Sequence, residues 1–365
     1  MDQFKTQFTT RNLNLLIILS FGLITFAGCT KKDSDGSPAD GKATGEINLA
    51  IWTNFISPDI AQKFTAQTGI KLNISNYSSN EDLLAKVQVG GSGIDVAVPS
   101  DYMVDIMAKQ GLLLDLQKSQ IPNFSALSAE VLRQNYDPDN KYSVPYSWST
   151  SGIAVNRELY KGKIESWNDV LENEQLKGKI SLLDDVREAT GLALKHFGYS
   201  LNTTNEKELK AAKEYLFKVK KNVKVFQSDA VDLLTNKEVV VAQVYSSDAL
   251  KAWARTDGKI EYILPKEGSS KAIDNMVILK NSKNPEAAHK LINFLLSEEA
   301  NIVFVRTMFG GPVLKSTRDK LEPKIKDNTA LFPSESAMKK LEAIVDLGEK
   351  SALYDDLWVA VKTTN

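Results

Sequence analysis

The sequence is poor in the residues on which many enzymes and metal proteins depend. Its 365 residues include one cysteine, Cys29, and two histidines, His196 and His289. A single cysteine forms no intramolecular disulfide and supplies no cysteine-based metal site. Zinc sites usually need several ligands in register, and a Ser-His-Asp triad needs a histidine at a cleft. Both histidines fall on predicted helices, so we expect no catalytic residue, no metal site and no cofactor.

An excess of charge of either sign is also absent. The sequence has 45 Lys and Arg against 46 Asp and Glu, which gives a formal net charge of −1. A nucleic-acid-binding surface needs at least a basic patch, and the lysines here are scattered among acidic residues. We therefore expect no nucleic-acid partner.

The length predicts two lobes, because single hydrophobic cores stop growing beyond roughly 250–300 residues.

The N-terminal region has the pattern expected of an export signal. Basic residues precede an apolar run over 13–27, which has about the length of the hydrophobic part of a signal peptide. The run ends in Phe26-Ala27-Gly28-Cys29, which resembles a bacterial lipobox except for Phe26. We predict a signal peptide over 1–28, a lipid on Cys29 and a polar, flexible tether over 29–45. An uncleaved anchor helix is the alternative, and either one places the body outside the inner membrane.

The body alternates predicted strands and helices. This order predicts βαβ units and a mostly parallel sheet, with ligands bound beyond the carboxyl ends of the strands. The predicted strands are 47–51, 70–74, 94–98, 180–183, 223–226, 239–244 and 273–279. The predicted helices are 58–64, 81–89, 102–110, 186–197, 206–220, 249–253 and 285–297.

Aromatic, hydroxyl and carboxylate side chains follow several of these strands. Carboxylates form charge-assisted hydrogen bonds with ammonium groups, and aromatic faces attract cations and cover methylene chains. The set therefore favours a flexible amine with several charges. Structural roles remain open for most members: Trp52 as core packing, Asp185 with Glu188 as a capping box, and Asp248 as a helix cap. The candidate ligand-binding residues are Trp52, Thr53, Ser100, Tyr102, Asp185, Glu188, Tyr245, Asp248 and Asp274.

Seven segments of the body resemble the periplasmic spermidine/putrescine-binding proteins. They are residues 76–81, 95–105, 142–148, 183–188, 197–204, 265–268 and 288–296, and the similarity spans about 47–360. The resemblance implies a type II periplasmic binding protein fold. In that fold, two α/β lobes, each a mixed sheet flanked by helices, enclose a ligand cleft. It implies one lobe formed by 46–152 plus 273–318 and a second formed by 153–272 plus 319–365.

The resemblance also assigns roles to the candidate residues. Trp52 and Thr53 match a ligand-contacting aromatic residue and its neighbour. Ser100 and Tyr102 match a hydroxyl contact and an aromatic contact. Asp185, Glu188 and Asp274 match carboxylates that bind amino groups. Tyr245 stands where a tryptophan is usual, and Asp248 resembles the putrescine-preferring branch.

The sequence departs from the family pattern at five places. Part of the aromatic cage is missing as a result, which affects which polyamine fits and how tightly. The departures are Asn54 for an acidic residue, Phe55 for tyrosine, Ala272 for tryptophan, Gly310-Gly311 for an aromatic and Ile344 for glutamine.

The leading interpretation is a lipid-anchored, periplasmic, monomeric protein that binds putrescine or spermidine. It would deliver this cargo to the permease and ATPase of an inner-membrane ABC importer. The alternatives are the same fold with another small cargo, a secreted hydrolase, and a surface lipoprotein that no longer binds a ligand. A Gly-x-Ser-x-Gly nucleophile motif is absent. A glycosidase needs only two carboxylates, so residue counting does not eliminate one.

Overall fold

The computed structural model describes residues 45–53 and 55–363. The predicted signal peptide, Cys29, nearly all of the predicted tether, and Asn54 lie outside the described residues. The strands are β1 (Gly45–Trp52), β2 (Ile70–Tyr77), β3 (Val96–Ala97), β4 (Ser143–Asn156), β5 (Ile180–Leu182), β6 (Val223–Phe226), β7 (Val241–Tyr245), β8 (Ile260–Ile263), β9 (Ser269–Ile278) and β10 (Leu341–Glu342).

Helices follow most of the strands, as the sequence predicts. They are α1 (Pro58–Thr68), α2 (Asn80–Gln88), α3 (Asp101–Lys109), α4 (Asn168–Leu171), α5 (Val186–His196), α6 (Glu206–Val219), α7 (Val231–Thr235), α8 (Ser246–Arg255), α9 (Pro285–Leu295), α10 (Glu298–Met308), α11 (Pro323–Lys326), α12 (Glu335–Met338) and α13 (Ser351–Thr363). Short 3₁₀ turns occur at Lys118–Gln120, Pro122–Ala126, Ala129–Val131, Lys220–Asn222, Arg318–Lys320 and Gly348–Lys350.

The strand order is β2-β1-β3-β9-β4-β7-β5-β6, with β10 beside β9 and β8 beside β4. Pairing is parallel within β2-β1-β3 and within β7-β5-β6. It is antiparallel where β9 meets β3 and β4, and where β4 meets β7 and β8. The expected mixed sheets are therefore confirmed. The prediction of a mostly parallel sheet was wrong at the centre, where the long antiparallel strands lie.

Strand β4 connects the two halves of this arrangement. It runs for 14 residues and was not predicted as a strand. Its first part, Ser143–Thr150, pairs with β9, and its second part, from Ser151, pairs with β7. All but one of its residues are buried, so it lacks the alternation of polar and apolar side chains that marks a half-exposed strand.

Local sequence explains how α1 begins and ends. Pro58 occupies the first turn of α1, where no backbone N–H is needed, and Ile60 and Phe64 bury one face of that helix. Gly69 then ends α1 in the left-handed region, at φ 75°.

Within the described residues, no helix combines the length and the apolar character that crossing a bilayer requires.

Candidate functional site

Asp274 is the buried carboxylate of the first half of the site. It lies in β9 with 8% of its surface exposed, and it accepts a 2.9 Å hydrogen bond from the Ser100 hydroxyl at the start of α3. Burial raises the pKa of Asp274 to about 7, because the low-dielectric surroundings disfavour its charged form. Nearby Asp101 raises this pKa further, and hydrogen bonding to Ser100 opposes the rise. Asp274 forms no ion pair with any described residue.

Trp52 lies beside this carboxylate at the end of β1. Its indole packs against Tyr77, with ring centroids 4.7 Å apart. The indole N–H is buried and has no hydrogen-bond partner of normal geometry among the described residues. It is nevertheless close enough to Asp274 to lower the pKa of that group. Trp52 is therefore a partly buried residue with an unused donor near a carboxylate, and core packing alone does not account for it.

Tyr102 lies in the first turn of α3, two residues after Ser100. Its hydroxyl donates to Glu81 at 3.0 Å and accepts from Asn80 at 3.0 Å. Burial, followed by the charge of Glu81, raises the pKa of Tyr102 above its ordinary value, and Asp185 also contributes. Tyr102 is therefore within electrostatic reach of Asp185, which lies at the start of α5.

Asp185 and Glu188 have the spacing of a capping box, and the structure shows half of one. Asp185 caps α5, because its Oδ1 accepts from the backbone N–H groups of Arg187 and Glu188 at 2.9 and 3.0 Å. The Glu188 side chain does not reach back to the cap. It accepts a 2.6 Å hydrogen bond from Ser270 instead, and only 7% of the residue is exposed. The capping interpretation thus accounts for Asp185 but not for Glu188.

Tyr245 and Asp248 lie where β7 leads into α8. The helix begins at Ser246, so Asp248 lies inside the first turn and forms no cap. The alternative role of Asp248 as a helix cap is therefore not supported, and the carboxylate instead pairs with Lys251 at 2.9 Å. Burial and the charges of Glu188, Asp185 and Asp248 raise the pKa of Tyr245 well above its ordinary value.

The structure therefore brings eight of the nine candidate residues into two neighbouring groups. Trp52, Ser100, Tyr102 and Asp274 form the first group, and Asp185, Glu188, Tyr245 and Asp248 form the second. Tyr102 links the two groups electrostatically. It contributes to the pKa shifts of Tyr245 and Arg187, and the charge of Asp185 helps to raise the pKa of Tyr102 itself. Thr53, which follows Trp52, is exposed.

The Gly310-Gly311 departure has a packing explanation. Gly311 exchanges backbone hydrogen bonds with Trp148 in β4, and the Trp148 indole N–H donates to Pro312 at 2.9 Å. A Cβ on Gly311 would overlap the Trp148 ring, and one on Gly310 would overlap Phe304 and Ser147. The side chains of Trp148, Phe304 and Ser147 thus fill the space in which a side chain at position 310 or 311 would stand.

Two polar groups important to the site were not assigned from the sequence. Asp101 accepts from the backbone N–H groups of Tyr102 at 2.9 Å and Ile273 at 3.2 Å, so it fastens α3 to β9. Burial raises the pKa of Asp101 to about 6. Ser270 contacts Glu188 across 82 positions of the chain. The Pro-Ser-Asp run before α3 could have indicated Asp101, whereas no local pattern indicates the serine contact.

Among the described residues, no group of three or more His, Cys, Asp and Glu side chains is arranged to hold a metal ion. The sequence profile of the bacterial extracellular solute-binding proteins matches residues 59–333. The chain belongs to this family, in the group of the spermidine/putrescine-binding periplasmic proteins, as its sequence predicted.

Three relatives show the extent of the similarity. The spermidine/putrescine-binding periplasmic protein of Salmonella typhimurium is 37% identical over 85% of this chain and 90% of its own. The putrescine/cadaverine-binding protein of Pseudomonas aeruginosa is 32% identical over 89% and 95%. A solved structure of the spermidine/putrescine ABC transporter substrate-binding protein of Streptococcus pneumoniae has a TM-score of 0.81 at 30% identity, and the match covers 87% of this chain and 99% of that one. The type II periplasmic binding protein fold is confirmed. The family consists of solute-binding transport proteins rather than enzymes.

Proposed function

We propose that this chain captures a diamine or short polyamine, putrescine or spermidine, between its two lobes. It hands this cargo to the permease and ATPase of an ABC importer and performs no chemistry on it. The observation that carries the proposal is the pair of buried carboxylates, Glu188 and Asp274, neither of which forms an ion pair with a described residue. Buried carboxylates without a cationic partner are costly, and an ammonium group removes that cost.

The shape of the site supports a cation with a carbon chain between its charges. Carboxylates lie in both groups, and the aromatic rings of Trp52, Tyr102 and Tyr245 lie among them. An anion would need basic side chains or open helix N-termini. The N-terminus of α5 is occupied by Asp185, and Lys251 is paired with Asp248. The names of the relatives from Salmonella typhimurium and Pseudomonas aeruginosa agree with this ligand chemistry.

Titration calorimetry of the purified protein with putrescine, cadaverine, spermidine and spermine tests the proposal. We expect one-to-one binding of at least one amine, and loss of that binding in Asp185→Ala, Asp248→Ala and Asp274→Ala. Asp355→Ala, at an exposed position of α13, is the matched control and should bind normally. Uncharged 1,4-butanediol should give no heat. A folded, ligand-free protein that binds none of the four amines would refute the proposed function.

The two lobes are proposed as 46–152 plus 273–318 and 153–272 plus 319–365. The change of partner along β4, from β9 before Ser151 to β7 after it, supports the first crossing point. We expect the protein to act as a monomer, which light scattering checks.

We further propose that Cys29 carries a lipid that anchors the protein in the periplasm, after removal of residues 1–28. The small residues Ala27-Gly28 directly before the cysteine support this. Labelling of cells with an alkyne-bearing fatty acid should mark the wild-type protein and not Cys29→Ser. Equal labelling of the two proteins would refute the anchor at this position.

A further inference from the structure

Three buried serines lie next to the Glu188 carboxylate. The Ser270 hydroxyl donates to Glu188 Oε1 at 2.6 Å. The hydroxyl oxygens of Ser270 and Ser151 lie 2.9 Å apart, and those of Ser151 and Ser269 also lie 2.9 Å apart. A hydroxyl has one proton and two lone pairs. Because Ser270 donates its one proton to the carboxylate, its oxygen accepts a hydrogen bond from Ser151. The Ser151 oxygen in turn accepts a hydrogen bond from Ser269. The three hydroxyls then form one chain that ends on Glu188.

The strands hold these serines in place. Ser151 lies in β4 at the point where the partner changes from β9 to β7. Ser269 and Ser270 begin β9 and pair with Leu341 and Glu342 of β10. The three serines are 1–6% exposed, so water does not replace their mutual hydrogen bonds easily.

The backbone of Glu188 is fixed independently of the serines. Its N–H donates to Asp185 Oδ1 at 3.0 Å, and its carbonyl oxygen accepts from the Gln243 side chain at 3.0 Å. Only the carboxylate end of the residue therefore remains to be oriented, and Ser270 supplies the hydrogen bond that does so.

We propose that Ser270, supported by Ser151 and Ser269, is a positioning residue that holds the Glu188 carboxylate ready to accept an ammonium group of the ligand. This inference rests on the proposed function. An ammonium group only donates, so it needs an acceptor that is both ionised and correctly oriented. A hydroxyl that donates to Oε1 stabilises the ionised form and leaves Oε2 for the ligand.

Charged and titratable groups face Glu188 from three elements. Asp185 and Arg187 lie on its own helix, Tyr245 lies at the end of β7, and Tyr262 lies in β8. Burial, and then the charge of Asp185, raises the pKa of Glu188 above its usual range. The serine hydroxyls and Arg187 oppose this rise. Removal of the Ser270 hydroxyl should therefore raise the pKa of Glu188 further.

The test compares 1,4-diaminobutane binding to wild type, Ser270→Ala and Ser270→Thr at pH 6 and pH 8.5. At pH 6 a proton competes with the ligand for Glu188, so Ser270→Ala should bind about tenfold more weakly for each unit by which the pKa rises. At pH 8.5 the proton competes less, and the difference should shrink to about twofold or less. Ser270→Thr keeps a hydroxyl and should behave like wild type. Equal weakening at both pH values, or none at pH 6, would overturn the proposal.

A second measurement separates this inference from the proposed function. Carbon-detected NMR follows the titration of the Glu188 carboxyl in ligand-free protein, and Glu188→Gln identifies its signal. We expect the midpoint to lie at a higher pH in Ser270→Ala than in wild type. An unchanged midpoint refutes the role of Ser270. If the midpoint moves but the wild type binds no amine, the proposed function fails while the action of Ser270 on Glu188 stands.

Discussion

Replacement of Asp274 by asparagine should have opposite effects on stability and on amine binding. The two side chains have nearly the same shape, and an asparagine oxygen still accepts from Ser100, which donates to Asp274 at 2.9 Å. The substitution therefore removes the charge while most of the local packing remains. Any change in the free energy of unfolding then reports the cost of burying that charge.

The size and pH range of the stability effect follow from the pKa of Asp274, which burial raises to about 7 from the ordinary value of 3.8. Below pH 3.8 the group is protonated in both the folded and the unfolded protein, so burial of the charge costs nothing. Between pH 3.8 and 7 the folded state holds the proton more tightly, and stability falls as pH rises. Above pH 7 the full cost remains, about 4 kcal/mol for a difference of about three pKa units.

Urea unfolding of the ligand-free proteins at pH 4, 6 and 8 measures this cost. We expect Asp274→Asn to be more stable than wild type by up to about 4 kcal/mol at pH 8, with a gain that shrinks towards pH 4. Ser100→Ala is the matched control: it removes the hydrogen bond but keeps the charge, so it should lower stability at pH 8. If Asp274→Asn is instead less stable than wild type at pH 8, the reasoning is wrong.

Amine affinity should change in the opposite direction. Loss of one partner of a buried charge pair typically costs about 2–5 kcal/mol. This corresponds to an increase in Kd of roughly 30-fold to several thousand-fold, which titration calorimetry resolves. A variant that is more stable but binds amine as well as wild type would show that Asp274 does not contact the ligand.

Three further predictions follow from the same structure. In wild type, the Kd for an amine should rise about fivefold between pH 7 and pH 6 for each buried carboxylate that must release a proton and, like Asp274, has a pKa of about 7. Calorimetry that shows a flat profile would contradict this. Lys251→Ala frees Asp248 and removes one positive charge beside it, so competition binding should show affinity for the triamine spermidine rising about two- to fivefold relative to putrescine. Gly311→Ala forces a methyl group into Trp148 and should lower the free energy of unfolding by about 1–3 kcal/mol, whereas Gly45→Ala, with nothing within 4 Å of the added carbon, should not.

The sequence predicted the elements that carry local signals. Strand β6 falls at residues 223–226 as predicted, and α5 and α6 begin at the predicted residues and end within one residue of the predicted ends. Helix α1 begins at Pro58, which is a local signal in itself. Strand β4 was missed because it is buried on both faces and so has no alternation to detect. Its antiparallel pairing with β9 depends on residues more than a hundred positions away.

The candidate site was predictable as a set of side chains but not as a set of contacts. The positions after strands indicated the carboxylates and aromatics, because the carboxyl ends of strands meet at the cleft. Spacing could not show that Glu188 turns from the capping position to Ser270, since that contact joins α5 to β9. Nor could spacing show that Lys251 forms an ion pair with Asp248. Two charged residues three positions apart on a helix pair only if their side-chain rotamers bring the charges together.

The acidic character of the cleft depends on where its nearest cation points. Arg187 lies between Asp185 and Glu188 in the sequence, yet its guanidinium stacks on the Tyr354 ring at 4.5 Å. It also donates to the carbonyl oxygens of Val345 and Leu201, each at 3.1 Å. These contacts direct the positive charge towards the segment before α13, so it does not pair with the carboxylates beside it. Since a guanidinium paired with Glu188 would have to be displaced before an amine could bind, this orientation is what keeps the carboxylate available to a ligand.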